Sequence, residues 1–166
     1  MMTLNTVLLS IILAYSTDKW SEHYSICGHS HQSPIDIVQE EVQILEDDKN
    51  PLDLKINGED DGLVYGYLIN NGHALGVNID ETRSSVIIKG GVIGTDTYKL
   101  GNFHIHFSCD DQHKGCEHTI DGKGYAGEAH FVFYNSKYEN LKAAVSQSDG
   151  LTVLGFFISV KKENNS

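Results

Sequence analysis

Short runs in which apolar and polar residues alternate, separated by turns rich in glycine and asparagine, make up most of the chain from Gln32 onwards. Gln32-Ser33-Pro34-Ile35-Asp36-Ile37 alternates behind a proline that forces an extended or turn conformation, which predicts a first strand at a sheet edge. Leu52 to Ile56 alternates up to Asn57-Gly58, a turn dipeptide. Val64 to Ile69 predicts the next strand, closed by Asn70-Asn71-Gly72. His73 opens another that runs through Val77 and Ile79, and Ser85 to Lys89 is a β-branched run ending at Gly90-Gly91. Tyr98 to Phe107 follows, and Glu117 to Ile120 joins Tyr125 to Tyr134 through Asp121-Gly122, the strongest short hairpin signal in the chain. Only Ser136 to Gln147 has helical spacing, with Tyr138, Leu141, Ala144 and Val145 on one face. Asp149-Gly150 then turns into Leu151 to Val160, a near-continuous apolar run of the kind found in strands buried on both faces. The prediction is a mainly β protein, a large sheet with few short helices, free of internal repeats and low-complexity segments.

Alternation also sorts the candidate chemistry. In Asn102-Phe103-His104-Ile105-His106, a strand sends His104 and His106 to one face and Phe103 and Ile105 to the other. Glu128-Ala129-His130-Phe131-Val132 has the same phase and offers a third imidazole if the two strands lie close. Read alone, His-x-His is more often a pair of satisfied polar residues of a sheet face than a ligand pair. Three neutral imidazoles with one position open form the donor set of a catalytic zinc site. Glu128, two residues before His130 on the same face, is placed to fix that ring's tautomer, and Asn102 stands in the same relation to His104.

Length and charge bound these readings. A chain of 166 residues supports one domain with a proper core. The formal charge of -11, from 23 acidic and 12 basic residues, argues against nucleic acid or an anionic membrane as partner. Residues 1–16 contain no Asp, Glu, Lys or Arg, and the apolar run Val7 to Tyr15 ends in Ala14-Tyr15-Ser16, a small-x-small cleavage pattern. This stretch reads as a secretory signal peptide ahead of a domain at 17–166, with a buried N-terminal strand or helix as the alternative; it is too short to span a bilayer. No other stretch is apolar enough to cross a membrane.

Cys27, Cys109 and Cys116 are an odd number for a secreted chain. Cys109 and Cys116 flank a short polar loop, and a bond between them would stabilise the fold by about 2.5 kcal/mol on the chain-entropy model. A zinc knot with His113 and His118 is the other reading, although the Cys spacing differs from that of common structural sites.

With these residues in place, the chain resembles the α-class carbonic anhydrases. Cys116-Glu117-His118-Thr119-Ile120, then Tyr125 and Glu128-Ala129-His130-Phe131-Val132, looks like that family's signature, with Cys116 where serine is usual. Phe103-His104-Ile105-His106 resembles its first ligand pair, followed by Phe107 in place of a customary tryptophan. Gln32 to Ile37, Asn70-Asn71-Gly72-His73 and Asp149 to Gly155 fall in the family's order, so the resemblance runs from Trp20 to about Val160. It implies a twisted, mostly antiparallel sheet carrying Zn2+ on His104, His106 and His130, and reversible hydration of carbon dioxide to bicarbonate. It also implies an apolar substrate pocket including Val132 and Val153, and a proton shuttle at His73, which read bare is a turn residue. Glu117 matches an acid that orients a threonine hydroxyl, and His118 matches a buried structural histidine.

The resemblance stops at Val160, and it implies that a C-terminal portion of the domain is lacking, together with the threonine partner of Glu117 and a cysteine partner for Cys27. A fragment of an active enzyme, a short inactive relative that binds zinc, and half of a protein completed by another chain all fit this expectation. A reading from a different class is a non-catalytic extracellular module, zinc-binding or an acidic mineral-matrix protein, with Glu46-Asp47-Asp48 and Glu59-Asp60-Asp61 attracting calcium.

Overall fold

The alternating stretch Tyr98–Phe107 is a single ten-residue strand on which the rest of the sheet is assembled. The computed structural model describes residues 20–30, 32–43, 50–60, 62–70, 74–108 and 114–160. The expected leader, the acidic triplet at 46–48, His73 and Cys109 lie outside them. The chain divides between Ile35 and Asp36 into two compact units. In the first, a helical turn at Trp20–His23 precedes a 3-10 turn at Ser25–Gly28.

The second unit contains β1 (Asp36–Ile37), β2 (Asp53–Gly58), β3 (Gly66–Asn70), β4 (Leu75–Ile79), β5 (Ser84–Lys89), β6 (Tyr98–Phe107), β7 (Thr119–Ile120), β8 (Gly127–Asn135) and β9 (Leu151–Ile158). Seven of these form one antiparallel sheet. Along one edge, β6 meets β5 at residues 98–99 and then β4 at residues 102–105; along the other it meets β8 over its whole length. Strand β9 pairs with β8. The expected mainly β architecture is the one observed.

One face of the sheet carries the core: Ile79, Val86, Ile88, Tyr98, Leu100 and Phe133 are buried together, with Val77, Phe103, Phe131 and Leu154 packed against them. Fully burying side chains such as Ile88 and Phe133 contributes about 1.5–3 kcal/mol each. The register explains how residues of both parities reach this face. The β6–β8 pairing shifts between Leu100 and Asn102, so Gly101 is an extra residue in the ladder. Before it, Tyr98 and Leu100 face the core; after it, Phe103 does, and the even-numbered Asn102, His104 and His106 turn to the opposite face. The bulge lets one strand serve a core at one end and a site at the other.

Several expectations need correction. The helix predicted over 136–147 is confined to Leu141–Ala144, because Asn140 caps it by accepting from the Ala143 N–H (2.9 Å), while Tyr138 sends its hydroxyl to Asp149 (2.7 Å). Asn57-Gly58 is not a turn: β2 continues through both residues, and Gly58 lies opposite Ser84. Asp121-Gly122 does make a tight turn, with both residues at positive φ, but β7 pairs in parallel with β1 rather than with β8. Asp36 sets that arrangement by accepting from the Thr119 hydroxyl (2.6 Å) and the Gly122 N–H (2.9 Å). Strand β9 is not buried on both faces: Val153 is 49% and Phe156 55% exposed, because among the described residues β9 pairs along one edge alone.

Cys27 and Cys116 are free thiols. The ring expected between Cys109 and Cys116 is therefore not closed, and Cys116 Sγ instead accepts from the Tyr125 N–H (3.0 Å).

Candidate metal centre

Cross-strand pairing after the bulge lines up three rows on the face opposite the core. Asn78, Asn102, Val132 and Val153 form the first row, and Gly76, His104, His130 and Gly155 the second. His106, Glu128 and Phe157 form the third. Directly paired residues share a face, so three imidazoles meet in adjacent rows. Their ring centroids lie 5.0 Å (His104–His106), 5.3 Å (His104–His130) and 4.8 Å (His106–His130) apart. One nitrogen from each ring lies within 4.8 Å of the others.

Glu128 is the hub of this face. It is 2% exposed, and its Oε2 accepts the backbone N–H groups of Glu117 and His118, both at 2.9 Å. Its Oε1 lies 2.6 Å from His130 Nε2 and 2.6 Å from His118 Nδ1. Burial alone would raise the Glu128 pKa, but the His130 bond, the two backbone N–H groups and the His118 ring outweigh it and hold the pKa at about 2. The ionised carboxylate only accepts, so both ring nitrogens facing it carry hydrogen. On His130 this leaves Nδ1, 3.7 Å from Glu117 Oε2, as the nitrogen a metal would take, with the other ring nitrogen held as a ligating histidine's is.

Two glycines that sequence reasoning passed over make room for these rings. A Cβ on Gly76 would sit 2.8 Å from Phe103 O and 3.2 Å from His104 Cβ; one on Gly155 would sit 3.2 Å from Glu128 Oε1. The signal was present, since an isolated glycine inside the apolar run 151–160 marks a close approach. His118, whose ring centroid is 6.1 Å from that of His130, is the other residue whose part depends on contacts invisible along the chain.

The remaining candidates are placed as follows. Glu117 points its carboxylate into the site, with Oε2 3.5 Å from His106 Nε2 and 3.7 Å from His130 Nδ1. Asn102 stands beside the ligand rows by strand position. Val132 and Val153 are direct cross-strand partners next to His130 and Gly155. A recess of about 300 Å³ lined by Ile105, His106, Phe107, Lys114, Gly115, Cys116 and Glu117 opens beside His106.

The residues fit a zinc ion: three imidazole nitrogens, donors of the right softness, come within 4.8 Å of one another, and a carboxylate orients one of the rings. His118, Glu128 and His130 also cluster closely enough for a metal, but their facing atoms are already joined by hydrogen bonds. Of the acidic groups proposed for calcium, Glu46, Asp47, Asp48 and Asp61 lie outside the described residues, and Glu59 and Asp60 are engaged elsewhere. Glu59 pairs with Arg83 (3.0 Å) and Asp60 accepts from the Tyr65 hydroxyl, and among the described residues the groups able to hold a metal are both built on histidine. No helix among the described residues is long and apolar enough to cross a membrane.

An antiparallel sheet presenting three imidazoles, one tied to a buried carboxylate, defines a class of strand-built protein whose residues could hold a metal. Residues 15–166 match the eukaryotic-type carbonic anhydrase family. The chain is 37% identical over 150 residues to carbonic anhydrase 1 of Mus musculus, covering 90% of this chain and 55% of that protein. It is 34% identical over 146 residues to carbonic anhydrase 3 of Sus scrofa, covering 88% and 54%. The chain belongs to the eukaryotic-type carbonic anhydrase family, and it spans about half the length of these curated relatives.

Proposed function

We propose that His104, His106 and His130 hold Zn2+ and that the domain serves the reversible hydration of carbon dioxide to bicarbonate and a proton. The observation that carries this reading is the convergence of the three imidazoles, with Nε2 of His130 held by Glu128. Bound there, Zn2+ supplies the Lewis acidity that makes water a nucleophile near neutral pH, the property for which carbonic anhydrases are the standard example. The protein holds a ligand ring in place: Glu128 keeps its charge down to low pH and so keeps an acceptor on the Nε2 side of His130. Val132 and Val153 offer an apolar contact beside the site, suited to an uncharged linear substrate. His73 is assigned the proton's exit, because an imidazole near its ordinary pKa both takes up and releases a proton at neutral pH.

The domain is assigned to the outside of the cell, on the strength of the uncharged apolar leader at 1–16. Mass spectrometry of the N-terminus of secreted material checks that assignment, and cleavage after Ser16 is the expected result. The catalytic reading is tested by zinc analysis together with stopped-flow carbon dioxide hydration. One zinc per chain with sulfonamide-sensitive turnover is expected; stoichiometric zinc without turnover would sink the enzyme reading, and no zinc would sink the metal site as well.

A further inference from the structure

Resting on the zinc reading above, we infer that Tyr125 and Phe157, together with the Cys116 thiol, are positioning residues of the metal centre, acting on the imidazoles through the backbone that holds Glu128. Glu128 Oε2 rests on the N–H groups of Glu117 and His118, both at 2.9 Å, so Oε1 faces His130 only while those two groups keep their place. Strand β8 pairs with β6 and β9, and β7 with β1, so no ladder to β8 fixes the segment that carries them. Tyr125 fixes it instead. Its carbonyl accepts from the N–H groups of Gly115 (3.0 Å) and Cys116 (3.3 Å), and its own N–H donates to Cys116 Sγ (3.0 Å). Gly115 is buried, and a Cβ there would lie 1.8 Å from Ala126 O, so the two backbones touch with no room for a side chain.

Tyr125 is itself anchored by its ring, which stacks on Phe157 with centroids 4.4 Å apart and planes 26° from parallel. Phe157 is the direct cross-strand partner of Glu128. The contacts therefore close on themselves. They run from the Glu128 carboxylate to the backbone at 117–118, through Cys116 to Tyr125, from the Tyr125 ring to Phe157, and across the β8–β9 ladder back to Glu128. Hydrogen bonds to a carboxylate weaken quickly as they lengthen or bend, so releasing the stack or the thiol contact lets the 117–118 backbone drift. Glu128 then follows its donors, and His130 Nε2, held by Glu128 at 2.6 Å, follows Glu128.

The test uses the whole chain and a readout other than turnover. Zinc affinity is measured by competition with a chromophoric chelator for the native chain, Phe157→Ala, Phe157→Leu, Cys116→Ala, Cys116→Ser, Val86→Ala and His104→Ala, each under conditions where urea unfolding shows it folded. Phe157→Ala is expected to bind zinc about tenfold more weakly, the loss that removing a ligand's support typically brings. Phe157→Leu, which keeps apolar volume and so the fold, should lose less. Cys116→Ala should lose several-fold, and Cys116→Ser, which keeps an acceptor for the Tyr125 N–H, should stay within twofold of native. Val86→Ala, a core change on β5, should lower stability and leave zinc affinity unchanged. Zinc affinity within twofold of native in the Phe157 variants and Cys116→Ala alike, or an equal loss in Val86→Ala, would overturn the positioning role and leave the three-histidine site standing. Zinc binding undiminished in His104→Ala would overturn the zinc reading, and the positioning role with it.

Discussion

The two faces of β6 and β8 are made from alternating residues of the same strands, yet they tolerate change on different terms. On the core face, Leu100, Phe103, Phe131 and Phe133 interact through shape and apolar area, so volume is what matters and hydrophobic replacements of similar size are absorbed. On the opposite face, Glu128, His130 and His118 interact through hydrogen bonds whose partners are fixed atom by atom. Losing one member there leaves a buried polar group unsatisfied. Stability resides mainly on the first face and chemistry on the second, and the period of two keeps them apart.

The sharpest way to break this division is from the core. Phe133→Ala is expected to lose about 3–5 kcal/mol in urea unfolding, as large-to-alanine changes at buried aromatics do, with Phe133→Leu losing much less. Glu128 gives the next largest effect. Its folded pKa is depressed from 4.5 to about 2, so its stabilisation is present above about pH 5 and is lost as pH falls toward 2. On the order of 3 kcal/mol is at stake in the metal-free chain. Urea midpoints between pH 7 and pH 2 should fall steeply for the native chain and remain flatter for Glu128→Gln; parallel curves would show that the hub is not where the acid sensitivity lies.

Gly155→Ala probes the second face more gently. Its new Cβ would press on Glu128 Oε1 from 3.2 Å, and a loss of about 1 kcal/mol is expected, accompanied by a several-fold loss of zinc affinity through the displaced His130. Val153→Thr should be nearly silent in unfolding, within about 0.5 kcal/mol, because the side chain is half exposed. A large loss there would mean that the β9 surface is covered in solution.

Much of this molecule was legible from alternation. Tyr98–Phe107 was predicted with its observed ends, since its turns and its apolar spacing agree. The short helix was overdrawn because helical spacing at 136–147 said nothing about Asn140 capping late or Tyr138 turning to Asp149. The run 151–160 was read as doubly buried because hydrophobicity reports what a strand prefers to touch, not which neighbours it has. The pairing of β7 with β1 escaped because it depends on Asp36, more than eighty positions away from Thr119 and Gly122.

By itself, the sequence determined which residues share a face: the phase of His104, His106, Glu128 and His130 follows from the geometry of any extended chain. Only the tertiary structure decided that the two strands lie in the register that sets His104 against His130. It also decided that Gly101 switches the phase of β6, and that one carboxylate gathers His118, His130 and the backbone of Glu117. Those outcomes depend on contacts between distant parts of the chain, where the bulge, the glycines and the buried charge have to fit one another at once.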